Sequence, residues 1–313
     1  MLVIGDCSPF EQQRWSLLLK QANMEYVAGD ETQIPEHDII LCFKYVNADP
    51  FPDKKFLVYP PTYFPGISLE MYKDKKNCCI IHHSRWMNEM WRKLGINGIA
   101  KMDVLTLPIS LMKTDKVKDQ VFVYYENRNP SDEHFIKAFL EKIHVKNYKV
   151  ITSIDVDWEF VKHCEYGMVL SSFCDQSFIL DEVMACNIPL FVWDMTLMSQ
   201  DTSTEIYPPI FATSIPHFDN RCGSVFQECN EFKHTWPNFQ NNFDSFSPES
   251  YVTDEMSPHL CARELHRILD GLEVKEVCKS NDSTEVFGDQ IVFQEIRPRS
   301  KTKRSLFTRF KLW

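Results

Sequence analysis

Short apolar segments alternate with helix-like segments along residues 1–195, and this alternation constrains the fold of the chain more than any other feature. The apolar segment 1–5 is followed by Ser8-Pro9-Phe10-Glu11, a capping-box sequence with proline at the first helical position. Apolar residues then recur at the spacing of one helix face, at Trp15, Leu18, Leu19 and Ala22. The start of the chain therefore predicts a strand followed by a helix.

The same alternation continues along the chain. Apolar runs rich in β-forming residues predict strands at 38–43, 56–59, 78–81, 121–125, 148–152, 166–171 and 189–193. Helices are expected after Ser84 and ending at Gly95, from Asn129-Pro130, over 158–164, over 178–186, and from Ser257-Pro258 to about Gly271. Residues 103–109 predict a further short strand or an extended linker, whereas 195–256 give no clear assignment.

Strands that alternate with helices of this length favour parallel sheets with right-handed crossovers. The predicted fold class is therefore α/β, with two Rossmann-like domains whose parallel sheets face a cleft. The polar stretch 113–120 predicts the boundary between them. We expect an N-terminal domain at 1–112, a C-terminal domain at 119–272, and a polar, then basic, tail at 273–313.

Composition excludes several classes of protein. The net charge of −10 disfavours nucleic acid as a partner. The 11 cysteines are odd in number and scattered, which indicates reduced, buried thiols rather than a disulfide framework. The first 15 residues lack the basic segment of a signal peptide, and no apolar run approaches the roughly 20 residues of a membrane span. These features predict a cytoplasmic protein.

Ligands of parallel α/β sheets bind at the carboxyl ends of the strands, which directs attention to the loops after residues 4, 81, 125, 171 and 193. None of these strands is followed by GxGxxG or a P-loop, which disfavours a dinucleotide oxidoreductase or an NTPase. The chain also lacks HExxH, paired CxxC motifs and the GxSxG nucleophile elbow of α/β hydrolases. Cys222, Cys229 and His234 match no zinc-site spacing, so buried thiols are the favoured interpretation and no metal site is predicted.

The segment 166–193 carries the most information about function. It combines a buried strand, a polar turn, a helix with an acid, and the run Met184-Ala185-Cys186-Asn187-Ile188-Pro189 before another buried strand. This segment resembles the donor-binding signature of glycosyltransferases with the two-domain GT-B fold. That signature has two acids eight residues apart, followed by a Met-Ala-Cys-Gly-Val-Pro-like run. Glu182 stands at the second acid, whereas Cys174 stands at the first.

Two further stretches are similar to the same family. CIIHHSRWMNEMWRKLGI followed by DVLTLPIS resembles its last N-domain strand and helix with the interdomain strand, and VFVYYENRNP resembles its first C-domain strand. The resemblance covers about residues 1–195 and the closing helix. It implies a glycosyltransferase of group 1-like, retaining type that uses a nucleotide-sugar donor, needs no cofactor or metal, and transfers a hexosyl or pentosyl group to a glycan, lipid or protein acceptor. The compact format also resembles glycosyltransferase-like proteins of large DNA viruses.

The resemblance also implies roles for individual residues. Glu182 would bind the donor ribose and Arg128 the diphosphate, with Gln176, Ser177 and Phe178 at the helix N-terminus beside them. Asp175 can supply the carboxylate missing at Cys174 if the turn shifts by one residue, and His83 ends an inner strand that faces the cleft. The plainer alternatives are a surface arginine at Arg128, a solvated glutamate at Glu182 and a structural, hydrogen-bonded histidine at His83.

Two other regions are left open by the sequence. The segment 214–223 has the polar, punctuated character of a substrate loop, with Asp219 and Arg221 as candidates, but a packed surface loop explains it equally well. Residues 297–313 contain seven Lys or Arg and no acid, interleaved with apolar side chains. This tail suits peripheral contact with an anionic membrane, or docking on the acidic body of the protein itself. The alternative function is a non-catalytic, nucleotide- or sugar-binding relative of the same fold.

Overall fold

The computed structural model describes residues 1–60, 67–95, 100–111, 120–126, 134, 137–141, 145, 148–152, 155–174, 176–195, 211–228 and 230–275. These residues belong to one compact unit, Met1–Val277. Within it the chain builds two sheets, one from each half of the sequence.

The first half forms six strands: β1 (Leu2–Ile4), β2 (Val27–Gly29), β3 (Ile39–Cys42), β4 (Lys55–Val58), β5 (Cys78–His82) and β6 (Lys101–Val104). Its helices are α1 (Pro9–Gln21) and α2 (Arg85–Lys93), with short 3₁₀ turns at Glu31–Glu36 and Ile67–Tyr72. The strand order is β2-β1-β3-β4-β5-β6, and every pair is parallel.

The second half forms β7 (Gln120–Glu126), β8 (Tyr148–Ile151), β9 (Cys164–Ser171), β10 (Leu190–Trp193) and β11 (Gly223–Phe226). Its helices are α3 (Trp158–Val161), α4 (Phe178–Ala185), α5 (Phe232–Asn241), α6 (Pro248–Met256) and α7 (Pro258–Asp270), with a 3₁₀ turn at Phe243–Ser245. This sheet has the order β11-β10-β9-β7-β8, again with every pair parallel. Two parallel sheets flanked by helices confirm the predicted α/β class with two Rossmann-like halves of GT-B type.

Both sheets are covered on both faces, which explains why their strands are almost continuously apolar in sequence. One face of the first sheet packs against α2, and the other packs against α1 together with the last helix, α7. Leu265 and Ile268 of α7 are fully buried in the same cluster as Trp15 and Leu18 of α1. The last helix of the chain thus completes the core of the first half.

The local signals in the sequence predicted most element boundaries correctly. The capping box is formed, because Ser8 Oγ accepts from the Glu11 amide and Glu11 accepts from the Ser8 amide. Asn187, which stands after α4 at the glycine position of the signature that this segment resembles, has a φ of 53°, a left-handed conformation that asparagine tolerates. The predicted helix 158–164 is wrong in length: α3 ends at Val161, and Cys164 already begins β9.

Several predictions concern residues that the structure leaves undescribed. The predicted boundary, 113–120, lies outside the described residues except for Gln120, which begins β7. Residues from 276 onward, including the basic tail 297–313, also lie outside the described ranges. The domain limits stay predictions. The described cysteines are free thiols, and most of them are buried, which agrees with the expectation of reduced cysteines. Among the residues that the structure describes, no helix is long and apolar enough to span a membrane.

Candidate functional site

A cavity of about 640 Å³ opens where the carboxyl ends of β7 and β9 meet the first turn of α1. Three of the five loops indicated by the sequence, those after residues 4, 125 and 171, contribute to its walls. The cavity therefore lies at the edge where parallel α/β sheets bind ligands. Its described walls consist of Ser8, Pro9, Phe10, Tyr124, Glu126, Val156, Trp158, Ser171, Ser172, Phe173, Cys174, Ser177, Phe178 and Ile179.

Two helix N-termini reach this cavity. That of α1 is closed by its own capping box, with the Glu11 carboxylate beside it. That of α4 begins at Phe178, and the N-cap residue Ser177 makes no side-chain hydrogen bond to the first turn. An N-terminus without a capping side chain keeps amide donors and the positive end of the helix dipole available to an anion. The start of α4 is thus suited to bind a phosphate group.

The part of the wall contributed by β7 contains a carboxylate. Glu126 ends β7 and accepts a hydrogen bond from the hydroxyl of Tyr124. Burial, followed by the contact with Glu126, raises the pKa of Tyr124, so this hydroxyl remains a donor. Phe10 and Trp158 add aromatic surface from α1 and α3. The cavity therefore combines an anion-binding helix end, aromatic faces and a hydrogen-bonded acid.

Glu182, the predicted ribose ligand, lies one turn into α4, and its contacts differ from those of a free surface acid. Its carboxylate is 3.6 Å from the guanidinium of Arg14, and its side chain is 19% exposed. Burial raises the pKa of Glu182 in spite of the Arg14 charge. Glu182 is not among the described residues that line the cavity. A role in binding ribose requires the Glu182 carboxylate to share or exchange its contact with Arg14.

Arg14 belongs to a buried charge cluster that joins the two halves. Its guanidinium donates to Asp181 at 3.1 Å and to the Phe178 carbonyl at 2.6 Å. Asp181 also accepts from Gln176 at 2.8 Å, and its other oxygen is 3.4 Å from Nδ1 of His217. Burial by itself raises the pKa of Asp181, but the charges of His217 and Arg14 and the hydrogen bonds outweigh burial and hold this pKa below its usual range. Asp181 is therefore an ionised structural acid.

The structure separates the predicted donor-binding residues into two groups. Ser177 and Phe178 line the cavity as expected. Gln176 is buried and is bound through its side-chain amide to Asp181 and to both backbone groups of Leu107. Its side chain thus connects the two halves of the protein. Arg128 and Asp175 lie outside the described residues.

His83, predicted to act in catalysis, is fully buried, with its ring edge-on to Phe178 of α4 at 6.2 Å between centroids and its carbonyl oxygen 3.1 Å from Nε2 of His217. Its Nδ1 is 2.9 Å from the carbonyl oxygen of Leu105, and its ring stacks on Tyr59 with 4.3 Å between centroids. The ring lines none of the described walls of the cavity. These contacts match the structural alternative for this histidine; the catalytic roles of His83 and Asp175 stay predictions.

Asp219 and Arg221 lie at the amino end of β11, the edge of the second sheet opposite to the cavity. Arg221 pairs with Asp219 at 2.8 Å and with Asp254 at 2.6 Å, and its guanidinium lies over the ring of Tyr251. Asp219 and Arg221 therefore do not reach the cavity, although Ser214 at the start of the same segment bonds to Ser171 and Cys174 in the cavity wall. These contacts are those of the packed surface loop that the sequence left as an alternative.

Five residues of the cavity wall were not predicted as site residues: Ser8, Phe10, Tyr124, Glu126 and Trp158. Ser8 and Glu126 each follow an apolar run at its carboxyl end, so their position in a parallel sheet was a usable signal. The aromatic residues gave no such signal, because their spacing is equally typical of a core.

The comparisons with known proteins show what this chain is similar to in fold. No protein-family model matches the chain, and no curated protein matches it in sequence. Among solved structures, the chain is similar to AviGT4, a glycosyltransferase involved in avilamycin A biosynthesis, with a TM-score of 0.51 and 9% identity over 87% of this chain and 97% of that one. A sucrose-phosphate synthase from Thermosynechococcus elongatus matches with a TM-score of 0.48 and 8% identity over 75% of this chain and 73% of that one. TarM matches with a TM-score of 0.47 and 10% identity over 77% of this chain, which spans only 56% of TarM.

Proposed function

We propose that this protein is a glycosyltransferase that binds a nucleotide-sugar in the cavity between α1 and α4. The observation that carries the proposal is the N-terminus of α4, which has no capping side chain and opens into a cavity at the carboxyl ends of β7 and β9. The donor diphosphate would bind at this helix end, where Arg128 would add a cation. The similarity of fold to AviGT4 supports the same class of protein.

The described side chains suit a mechanism based on positioning. The aromatic faces of Phe10 and Trp158 can hold the nucleobase or the sugar, while Tyr124 and Glu126 can orient hydroxyl groups. In retaining transfer, the leaving diphosphate can itself accept the acceptor's proton, so no strong protein base is needed. We propose this retaining course, without a metal, for a hexosyl or pentosyl donor, with Asp175 or His83 assisting. A glycan, lipid or protein is the proposed acceptor.

We propose that the protein acts in the cytoplasm. The basic tail 297–313 would place the enzyme on an anionic membrane that displays the acceptor. Sedimentation with vesicles of anionic and of neutral lipid tests this part separately, because the full chain should sediment with the anionic vesicles alone. A viral origin, suggested by the compact format, likewise remains a prediction.

A second candidate function is supported by specific contacts. Glu182 is paired with Arg14, and Cys174 replaces the first acid of the family signature. Both features favour a non-catalytic relative that binds a nucleotide or a sugar but does not transfer it. Binding without turnover is the result that would select this alternative.

The test is a thermal-shift and calorimetric titration of the protein with UDP-, GDP-, dTDP-, ADP- and CMP-sugars. A true donor at about 100 times its dissociation constant stabilises the fold by about 2.7 kcal/mol. Ser172→Phe places a ring in the cavity and should abolish the shift. Ser224→Phe, a change of the same size on β11 away from the cavity, should keep it.

Release of free nucleotide, measured on the same preparations, separates the two candidate functions. A shift accompanied by nucleotide release supports the enzyme, whereas a shift without release, even with a panel of acceptors, supports the binding relative. A shift that survives Ser172→Phe, or no shift with any of the nucleotides, would contradict both.

A further inference from the structure

A second cavity, of about 600 Å³, lies beside β6, the edge strand of the first sheet. Its walls come from α2, from β6 and the residue Thr106 just after it, and from α6 and α7. None of the described residues that line it belongs to the walls of the cavity between α1 and α4, which we call the donor cavity. The two cavities are therefore separate sites.

The charged side chains around the second cavity differ in whether they have ion-pair partners. Three arginines line it, Arg85, Arg92 and Arg263, and in the described part of the chain none of them forms an ion pair. The acids Asp103 and Glu264 on the same walls are both paired with Arg267, at 2.8 and 2.5 Å. On the same walls Asp254 and Glu255 lie 2.6 and 3.9 Å from Arg221, whereas Glu89 forms no ion pair among the described residues. The walls thus present three guanidinium groups without ion-pair partners, next to four paired acids and one unpaired acid.

A buried amide gives an independent indication of a ligand. Asn88 lies on α2 among these arginines and is only 5% exposed. Its Oδ1 is enclosed and has no hydrogen-bond partner among the residues described. An enclosed acceptor without a partner destabilises the folded state, and a ligand hydroxyl that donates to it would remove this cost.

The composition of the walls limits the kind of ligand. No aromatic side chain is present among the described residues of this cavity, whereas the donor cavity contains Phe10, Tyr124, Trp158, Phe173 and Phe178. A nucleobase would find no ring to stack on here. Guanidinium groups bind phosphate in bidentate geometry, and Asn88, Glu89 and Glu255 offer acceptors for hydroxyl groups.

We propose that this cavity binds a phosphorylated sugar without a nucleobase, with the phosphate on the arginines and a ring hydroxyl on Asn88. The site contacts both α2 of the first half and α6–α7, which follow the second sheet in the chain. An occupant would therefore link elements from the two parts of the sequence. The proposal does not depend on the function assigned to the donor cavity.

Calorimetric titration of the full chain with mannose 6-phosphate tests the proposal. Mannose and inorganic phosphate are titrated separately for comparison. Mannose 6-phosphate should bind with a dissociation constant below about 1 mM, and at least about tenfold more tightly than either fragment. The double variant Arg92→Gln/Arg263→Gln should weaken binding at least about tenfold, because both charge-assisted contacts are lost.

Lys93→Gln is the matched control, since Lys93 carries the same charge on α2 but is not part of the described lining. It should change the affinity by less than about twofold. Asn88→Leu fills the same position without an amide and should weaken mannose 6-phosphate while leaving phosphate unchanged. Ser172→Phe, which blocks the donor cavity, should leave this binding intact.

Three results would overturn the proposal. They are the absence of binding at about 10 mM ligand, equal affinity for inorganic phosphate and mannose 6-phosphate, and unchanged binding in the double arginine variant. Circular dichroism of each variant separates a lost site from a lost fold.

Discussion

At the scale of single residues, the most consequential side chain is Arg14. It is 4% exposed and contacts Asp181, Glu182 and the backbone of Phe178, all of which belong to the other half of the chain. A buried ion pair is a weak source of net stability, but removing one partner leaves an uncompensated charge. Arg14 therefore contributes to stability mainly by balancing the buried Asp181 carboxylate.

Arg14→Met should lower the free energy of unfolding by about 3–5 kcal/mol, because the methionine keeps the packing but leaves Asp181 buried without its guanidinium. Arg267→Met is the control, as Arg267 forms ion pairs with Asp103 and Glu264 but is half exposed; it should cost less than about 1 kcal/mol. Urea denaturation measures both. Equal losses in the two variants would contradict the role assigned to Arg14.

Asp181 and Glu182 should have opposite effects on the stability of the fold as the pH falls. The folded-state pKa of Asp181 lies below its ordinary value of 3.8, so its ionised form stabilises the protein above that pH and this stability is lost as the pH falls. The folded-state pKa of Glu182 lies above its ordinary value of 4.5, so protonation of Glu182 favours the folded state over the same fall.

We therefore expect Asp181→Asn to flatten the loss of stability below about pH 4, and Glu182→Gln to make the loss between about pH 5 and 4 steeper. The measurement is the free energy of unfolding at intervals from pH 7 to pH 3. Parallel curves for the two variants would show that these carboxyls do not have the shifted pKa values described.

At the scale of elements, the turn from α4 into β10 contains a residue in the left-handed conformation. Asn187 has a φ of 53° there, and its Oδ1 accepts from the Glu249 amide at 3.2 Å. The left-handed conformation is costly for residues other than glycine and least so for asparagine. Asparagine therefore combines a tolerated conformation with a contact to α6 that glycine lacks.

Asn187→Ala should destabilise the fold by about 1–2 kcal/mol, since alanine is strained at this φ and loses the side-chain bond. Asn187→Gly should stay within about 1 kcal/mol of the parent, because relief of strain offsets the lost bond. Thermal unfolding of the two variants makes the comparison. A glycine variant less stable than the alanine variant would show that the contact to Glu249 dominates.

Local elements were predictable from the sequence because their signals are local. The Ser8 capping box, the buried strands and the left-handed Asn187 each depend on residues within one turn or one strand. The contact between Arg14 and Asp181 joins residues 167 positions apart, and no periodicity records such a pair. The walls of both cavities likewise come from separate loops and helices, which explains why only part of each site was foreseen.

At the scale of the whole molecule, the last described helix packs against the first half of the chain. α7 follows the second sheet in sequence, yet its apolar face packs with α1 against the first sheet. Lys55 of β4 also donates to the Leu269 carbonyl at 2.8 Å. The first half therefore has an incomplete core until residues 258–270 are in place, and its stability depends on the far end of the described chain.

Leu265→Ala tests this dependence, because Leu265 is fully buried between α7 and the first half. The cavity left behind should lower the free energy of unfolding by about 2–5 kcal/mol. Hydrogen exchange should show faster exchange of amides in β3 and β4, far away in sequence, since those strands lose part of their cover. His259→Ala, an exposed change on the same helix, should leave these amides protected. If Leu265→Ala speeds exchange only within 258–270, α7 is an appendage of a first half that is stable by itself, and the closure of the molecule by this helix is refuted.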